Sequence, residues 1–211
     1  MNRCIVNLLN DQEKLRDFTL GLPTAFEIVE KQLPGNSAQG LLREQVIIGY
    51  FRFVFGKDEV ELPSNPNERN FDITLCGEDL AIKTVKGNSR AAIKVHWTSD
   101  NQRVEEEIAT YYPRSDFLWI TIHWNKTADS IFYIPLSVQT EIYNSLGASG
   151  YLATLTGTNN RGIPLSKEAF SMLKNHPNTL CRKVTWVRQG IDYNPYEQWE
   201  TYWRNHHEME D

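Results

Sequence analysis

Asn70-Phe-Asp-Ile-Thr-Leu-Cys-Gly-Glu-Asp-Leu-Ala-Ile-Lys83 is the stretch on which the reading of this chain turns. Two runs with strand character, Phe71 to Leu75 and Asp79 to Val85, flank Cys76-Gly77, and this spacing predicts a β-hairpin. With Cys76-Gly77 as a two-residue loop, Leu75 faces Glu78, Thr74 faces Asp79 and Asp72 faces Ala81. Side chains alternate along a strand, so Asp72, Thr74, Asp79, Ala81 and Lys83 share one sheet face. Ile73, Leu80 and Ile82 share the other, which makes a sensible core face. An acid and a lysine then project side by side from the same surface.

On the N-terminal side of the hairpin the periodicity is helical. Leu8, Leu9, Leu15, Phe18 and Leu20 recur at helix-like intervals, and Pro23 to Leu33 reads as a second helical segment. Pro34-Gly35-Asn36-Ser37 breaks the chain. A third helix is predicted over Gln39 to Phe55, closed by Gly56, and residues 62–67 read as a loop. On the C-terminal side, strands are predicted at Ala91 to Trp97, Phe117 to Trp124, Ser130 to Pro135 and Arg182 to Arg188. Helices are predicted at Val104 to Tyr111, Val138 to Leu146, Ser166 to Leu173 and Pro195 to Arg204. This pattern of helices followed by a hairpin-led sheet crossed by helices predicts a single α/β domain over residues 1–211, with a mixed central β-sheet flanked by helices. Its parts are a mainly helical segment at 1–60, a sheet-containing core at 70–188 and a disordered tail at 205–211.

Bulk properties narrow the function classes. The chain has 211 residues, 22 Lys and Arg against 27 Asp and Glu, and a net charge of −5. That balance is unusual for a nucleic-acid binder and requires any basic residues to cluster on one face. Cys4, Cys76 and Cys181 are widely spaced and odd in number, with no CxxC pair, which argues against a disulfide framework and a structural zinc site. No stretch approaches the roughly 18 uncharged apolar residues of a membrane span, and charge enters the N-terminus too early for a secretory signal. The cytoplasm is the expected address. Phosphate loops, Rossmann glycine patterns and serine elbows are all missing from the sequence.

Paired acid and lysine side chains suit metal-dependent phosphodiester cleavage. A hard cation prefers carboxylate oxygen, and an ammonium can stabilise charge developing on phosphorus. A surface hairpin with Asp and Lys on its polar face has the same local sequence. The segment resembles the PD-(D/E)XK nucleases, in which an acid begins one strand and an acid-x-lysine triplet lies on the next. Asp72 matches the first acid and Lys83 the lysine, while Ala81 stands where the triplet carries its acid. Over roughly Leu42 to Arg188 the chain is similar to small type II restriction endonucleases, in particular ThaI-type enzymes. Ala81-Ile-Lys-Thr-Val, Ala92-Ile-Lys-Val-His-Trp and Phe117-Leu-Trp-Ile-Thr-Ile-His-Trp124 carry that likeness.

The resemblance implies Mg²⁺ as cofactor (Mn²⁺ substituting), double-stranded DNA as substrate and a homodimer. It also implies that Glu44, on the helix preceding the hairpin, replaces the missing acid. Asp79 is the in-strand alternative, and Lys94, in a second Ala-Ile-Lys, competes with Lys83 for the lysine role. His96 and His123 have no carboxylate at ligand spacing and read as core or phosphate-contact histidines. Asn159, Asn160 and Arg161 lie in a Gly/Asn-rich loop suited to base edges, and Ser37 and Gln39 form a second candidate. Lys86, Asn88, Ser89 and Arg90 suit phosphate contacts, as do Lys183 and Arg188 late in the chain. A repair or structure-specific nuclease, or a DNA-binding protein that has lost cleavage, are the competing functions.

Overall fold

Asn2 opens the first helix. Its side chain accepts from the backbone N–H groups of Cys4 and Ile5, starting α1 (Arg3–Asn10). Asp11 does the same for α2 (Gln12–Gln32) through Glu13 and Lys14, each cap satisfying orphan donors of a first turn. Phe18, Leu22, Phe26 and Val29 then line the buried face of α2. That unbroken stripe carries the helix through Pro23, where the sequence pattern suggested a fresh start. A mid-helix proline costs about 3 kcal/mol, which burial of several large apolar side chains more than offsets. α3 (Gln39–Phe55) spans the expected range and stops at Gly56, whose φ of 93° continues no helix. The structure is a computed structural model that describes residues 1–35, 38–64, 71–87, 94–96, 104–153 and 162–208, without the side chains of residues 96, 104, 105, 207 and 208.

A short 3₁₀ turn leads into β1 (Val60–Glu61), an edge strand that the sequence pattern did not reveal. β2 (Ile73–Leu75) and β3 (Glu78–Lys86) form the hairpin in the anticipated register, Thr74 opposite Asp79 and Leu75 opposite Glu78. Cys76 and Gly77 both take positive φ, 52° and 81°, the type I′ geometry that matches the twist of the flanking strands. β4 (Lys94–His96) and α4 (Val104–Thr110) follow, then β5 (Asp116–Ile122), parallel to β3. β6 (Lys126–Ile134) returns antiparallel, and α5 (Leu136–Tyr151) follows with a kink at Gly147. β7 (Ile163–Pro164) pairs with β4 in a separate two-stranded sheet. α6 (Lys167–Asn175), β8 (Leu180–Trp186) and α7 (Glu197–Glu208) complete the element order. The central sheet runs β1-β2-β3-β5-β6-β8, with β3 and β5 its parallel pair. The architecture is mixed α/β, as anticipated.

Both sheet faces are buried. Ile73, Leu80 and Ile82 of the hairpin join Leu118, Ile120 and Trp186 in a core with α1, α2 and α3. Ala81, Val85, Trp119 and Phe132 point the other way, into a core with α5 and α6. At one end of the sheet Asp116 gathers a buried polar knot. It accepts from the Leu136 N–H at 2.6 Å, the Asn2 N–H at 3.0 Å and the Tyr133 hydroxyl.

Two sequence expectations need correction. Cys4 and Cys76, 72 residues apart, are joined as a disulfide with their Cα atoms 6.3 Å apart. The hairpin turn packs against the start of α1, a proximity that spacing along the chain does not reveal. Residues 205–208 are helical, because α7 runs on to Glu208 instead of ending at Arg204; residues 209–211 lie outside those described. Tyr196 just before α7, and Trp199, Tyr202 and Trp203 on it, face outward.

The positive φ at Gly77 gives a direct test of the hairpin. Gly77→Ala meets no steric obstacle, since nothing lies within 4 Å of an added Cβ. It still incurs the left-handed backbone penalty of about 1–2 kcal/mol. Urea denaturation is expected to show a loss of that size.

Candidate active site

β2 is short, and its end creates the site. Asp72 lies one residue before the strand, where its N–H still bonds the Leu80 carbonyl at 3.0 Å. The next donor on β3, the Ile82 N–H, is taken by the Asp72 carboxylate at 2.5 Å. The same Oδ2 receives Lys83 Nζ at 3.3 Å. Asp72 thereby replaces a missing ladder partner and meets the lysine that shares its sheet face. Ala81 is buried in the second apolar core, so a carboxylate at that position would be set among hydrocarbon.

The third group arrives from a helix. α3 packs over β3, and Glu44, half-buried on it, lies in the electrostatic field of both Asp72 and Lys83. Burial foremost, and then the like charge of Asp72, push its carboxyl up to about 7, with Lys83 pulling the other way. Two acids held together against a lysine form a hard-oxygen donor set that suits a divalent cation. Among the described residues no group of three or more His, Cys, Asp or Glu is placed to hold a metal. The carboxylates that meet at this point among the described residues are those of Asp72 and Glu44.

Other sequence candidates fall elsewhere. Asp79 is exposed beside the turn, where it accepts from the Thr74 hydroxyl at 2.8 Å. Lys94 belongs to β4, in the smaller sheet with β7. Gln39 is buried with both ends of its amide engaged: it donates to the Leu33 carbonyl and accepts from Arg43, each at 2.7 Å. His123 follows β5 and is held below its usual value by burial and by Lys126 and Lys174. Ser37, Asn88, Ser89, Arg90, Asn159, Asn160 and Arg161 lie outside the described residues.

Lys86 and Arg188, named separately in the sequence, meet in a cluster beside the site that the sequence did not reveal. Glu30, near the end of α2, accepts from Arg188 Nη2 at 2.7 Å, Lys86 Nζ at 2.9 Å, Trp124 Nε1 at 3.0 Å and Arg43 Nη2 at 3.4 Å. Burial pushes the Glu30 carboxyl up, but donation from Lys86, Arg188 and Trp124 outweighs this and holds it below its ordinary value. The Arg188 guanidinium also lies over the Trp124 ring, 4.1 Å from its centroid. Residues from α2, α3, the end of β3, the β5–β6 turn and the segment after β8 meet there. Their separations, up to 158 positions, leave no local motif to read.

A mixed sheet in which a hairpin and an overlying helix bring two acids and a lysine together has the form of a restriction-endonuclease core. The ThaI restriction endonuclease family matches residues 21–205, and the chain belongs to that family. It is thus a site-specific deoxyribonuclease of a restriction system. Among solved structures, one described as a restriction endonuclease in complex with substrate DNA is similar, at 28% identity and a TM-score of 0.87. The alignment covers 95% of this chain and 99% of that one. No curated protein matches the chain. Restriction endonucleases generally use a divalent metal, and no described helix is long and apolar enough to cross a membrane.

The Glu30 cluster makes a stability prediction. Removing the acid strands the buried Arg43 charge, so Glu30→Gln is expected to cost about 3 kcal/mol at neutral pH. A carboxyl held low in the fold contributes fully above its unfolded value of 4.5 and loses that contribution as pH falls through the folded value. Wild-type stability should therefore drop below pH 4.5 more steeply than that of Glu30→Gln, read by denaturant titration across the acid range.

Proposed function

We propose that this endonuclease hydrolyses double-stranded DNA with Asp72, Glu44 and Lys83 as its active site, uses Mg²⁺ (Mn²⁺ substituting), and works as a homodimer in the cytoplasm. The observation that carries the reading is the convergence of Glu44 from α3 on the Asp72–Lys83 pair of the hairpin. The DNA complex formed by the similar structure supports the substrate. A second copy follows from chemistry: one site cuts one strand, and a two-fold dimer matches a palindromic duplex.

Asp72 and Glu44 would hold the metal, which when bound supplies Lewis-acid polarisation of the scissile phosphate and lowers the pKa of water. Asp72 is fixed for this by its bond to the Ile82 N–H. Lys83 balances the two acids before DNA arrives, and its ammonium stabilises charge developing on the phosphate. Lys86, Asn88, Ser89 and Arg90 follow the active-site strand and are assigned to the sugar–phosphate backbone. Asn159, Asn160 and Arg161 are assigned to base edges, with Ser37 in a second contact region.

Asp72→Asn and Lys83→Ala are each expected to lower cleavage by about 10³-fold or more, with unfolding transitions close to wild type. Lys94→Ala should cut far better than Lys83→Ala. A plasmid-nicking time course in Mg²⁺ measures all three, and wild-type rates for Asp72→Asn or Lys83→Ala would remove the assignment. Glu44→Gln should lose cleavage while retaining DNA binding in Ca²⁺; if it cuts normally, Asp79 becomes the second acid. Arg161→Ala should weaken binding to the cognate duplex by roughly 5- to 150-fold, the worth of one bidentate guanine contact. Binding to a scrambled duplex should change much less, and a parallel loss on both would make Arg161 a phosphate contact.

A further inference from the structure

We infer that Lys86 and Arg188, anchored on Glu30, form a clamp for the phosphodiester backbone of DNA next to the scissile position. The inference rests on the proposed nuclease reading and adds a contact made by residues 102 positions apart in the sequence. Its first support is the layering of charge. The Glu30 and Arg43 side chains are only 10% and 6% exposed, whereas Lys86 and Arg188 are 49% and 41% exposed. The acid is underneath and the cations are on top, so the surface presented to solvent is positive. Three cations against Glu30 leave this set at +2, and Glu27, which accepts from the Gln189 and Gly190 N–H groups, brings the neighbourhood to +1, in a chain whose net charge is −5. A single cation would neutralise Glu30, so a structural ion pair does not account for the excess.

Position is the second support. Lys86 lies three residues beyond Lys83 on β3, about 10 Å along the strand at 3.3 Å per residue, and strand alternation turns it to the face that carries α2 and α3. The same spatial link runs through α3, where Arg43 reaches Glu30 while its neighbour Glu44 faces Asp72 and Lys83. Lys86 and Lys83 therefore share β3, and α3 joins Glu44 to the cluster through Arg43.

The third support is the presentation of Arg188. Its guanidinium lies over the Trp124 ring, 4.1 Å from the centroid, and is tethered through Nη2 to Glu30. Among the described residues that is the hydrogen bond it makes, and a guanidinium carries five N–H donors. A planar fork ordered in advance and left open at its edge suits a phosphate oxygen pair.

The test is a salt titration of duplex binding in Ca²⁺, followed by fluorescence anisotropy, for wild type, Lys86→Gln, Arg188→Gln and the double variant. Removing either cation from its phosphate should lower the slope of log Kd against log salt by about one per protomer, and removing both by about two. A cluster that only stabilises the fold can shift the melting temperature but leaves this slope at its wild-type value, and that outcome overturns the clamp. Should the Arg188 variants fail to fold, Lys86→Gln decides alone, because its side chain is half-exposed. Wild-type binding with unchanged slopes in the variants rejects the clamp and keeps the nuclease reading. Absence of any salt-dependent duplex binding by the wild type rejects both.

Discussion

The hydrogen bond from the Ile82 N–H to the Asp72 carboxylate is the constraint from which the site follows. β2 is only three residues long, so β3 continues past it with an edge donor that needs a partner. A buried or half-buried N–H without one is costly. Supplying that partner from a side chain, rather than from another strand residue, leaves the β3 edge open for a helix to approach. It also pins a carboxylate at the opening. A longer β2 would have zipped the edge shut and moved Asp72 away from Lys83 and from α3.

What the arrangement demands electrostatically is balance. Burial of Glu44, and after it repulsion from Asp72, push the Glu44 carboxyl up to about 7. Lys83 relieves part of this by bonding Asp72. The remaining imbalance is of the kind a divalent cation corrects, since a dication between two carboxylates turns their repulsion into shared attraction. Two carboxylates against one lysine would suit a divalent cation in charge as well as in donor type.

The parts legible in sequence were those governed by short-range rules. Cys76-Gly77 sets a turn, the turn sets the register, and period-two alternation then assigns Asp72 and Lys83 to one face. α3 was readable because a broad apolar stripe ends at a glycine. Glu44 was reached through family likeness, since nothing in its helix distinguishes it from Glu13 or Glu27. Features decided by long-range packing did not show. Pro23 is carried inside α2 by a core stripe, β1 exists because it pairs with β2, and Cys4 meets Cys76 only once α1 docks beside the hairpin. The Glu30 cluster is the extreme case, with five contributors from five parts of the chain.

Arg43 and Glu44 show why these two levels cannot be separated. They are adjacent on α3, yet one is committed to Glu30 and Gln39 and the other faces Asp72 and Lys83. Neighbouring helix positions differ by about 100° around the axis, so a single turn of α3 serves two charged sites on different sides. Arg43, buried and bonded twice, sets the rotation of that turn. The angle at which Glu44 meets Asp72 is therefore set partly by an ion pair to α2. Glu30 in turn holds Lys86 at the end of β3, the strand that carries Lys83. The lysine strand and the glutamate helix are cross-braced through one buried carboxylate, and this keeps two acids and a lysine from three elements in register although no backbone ladder connects α3 to the hairpin.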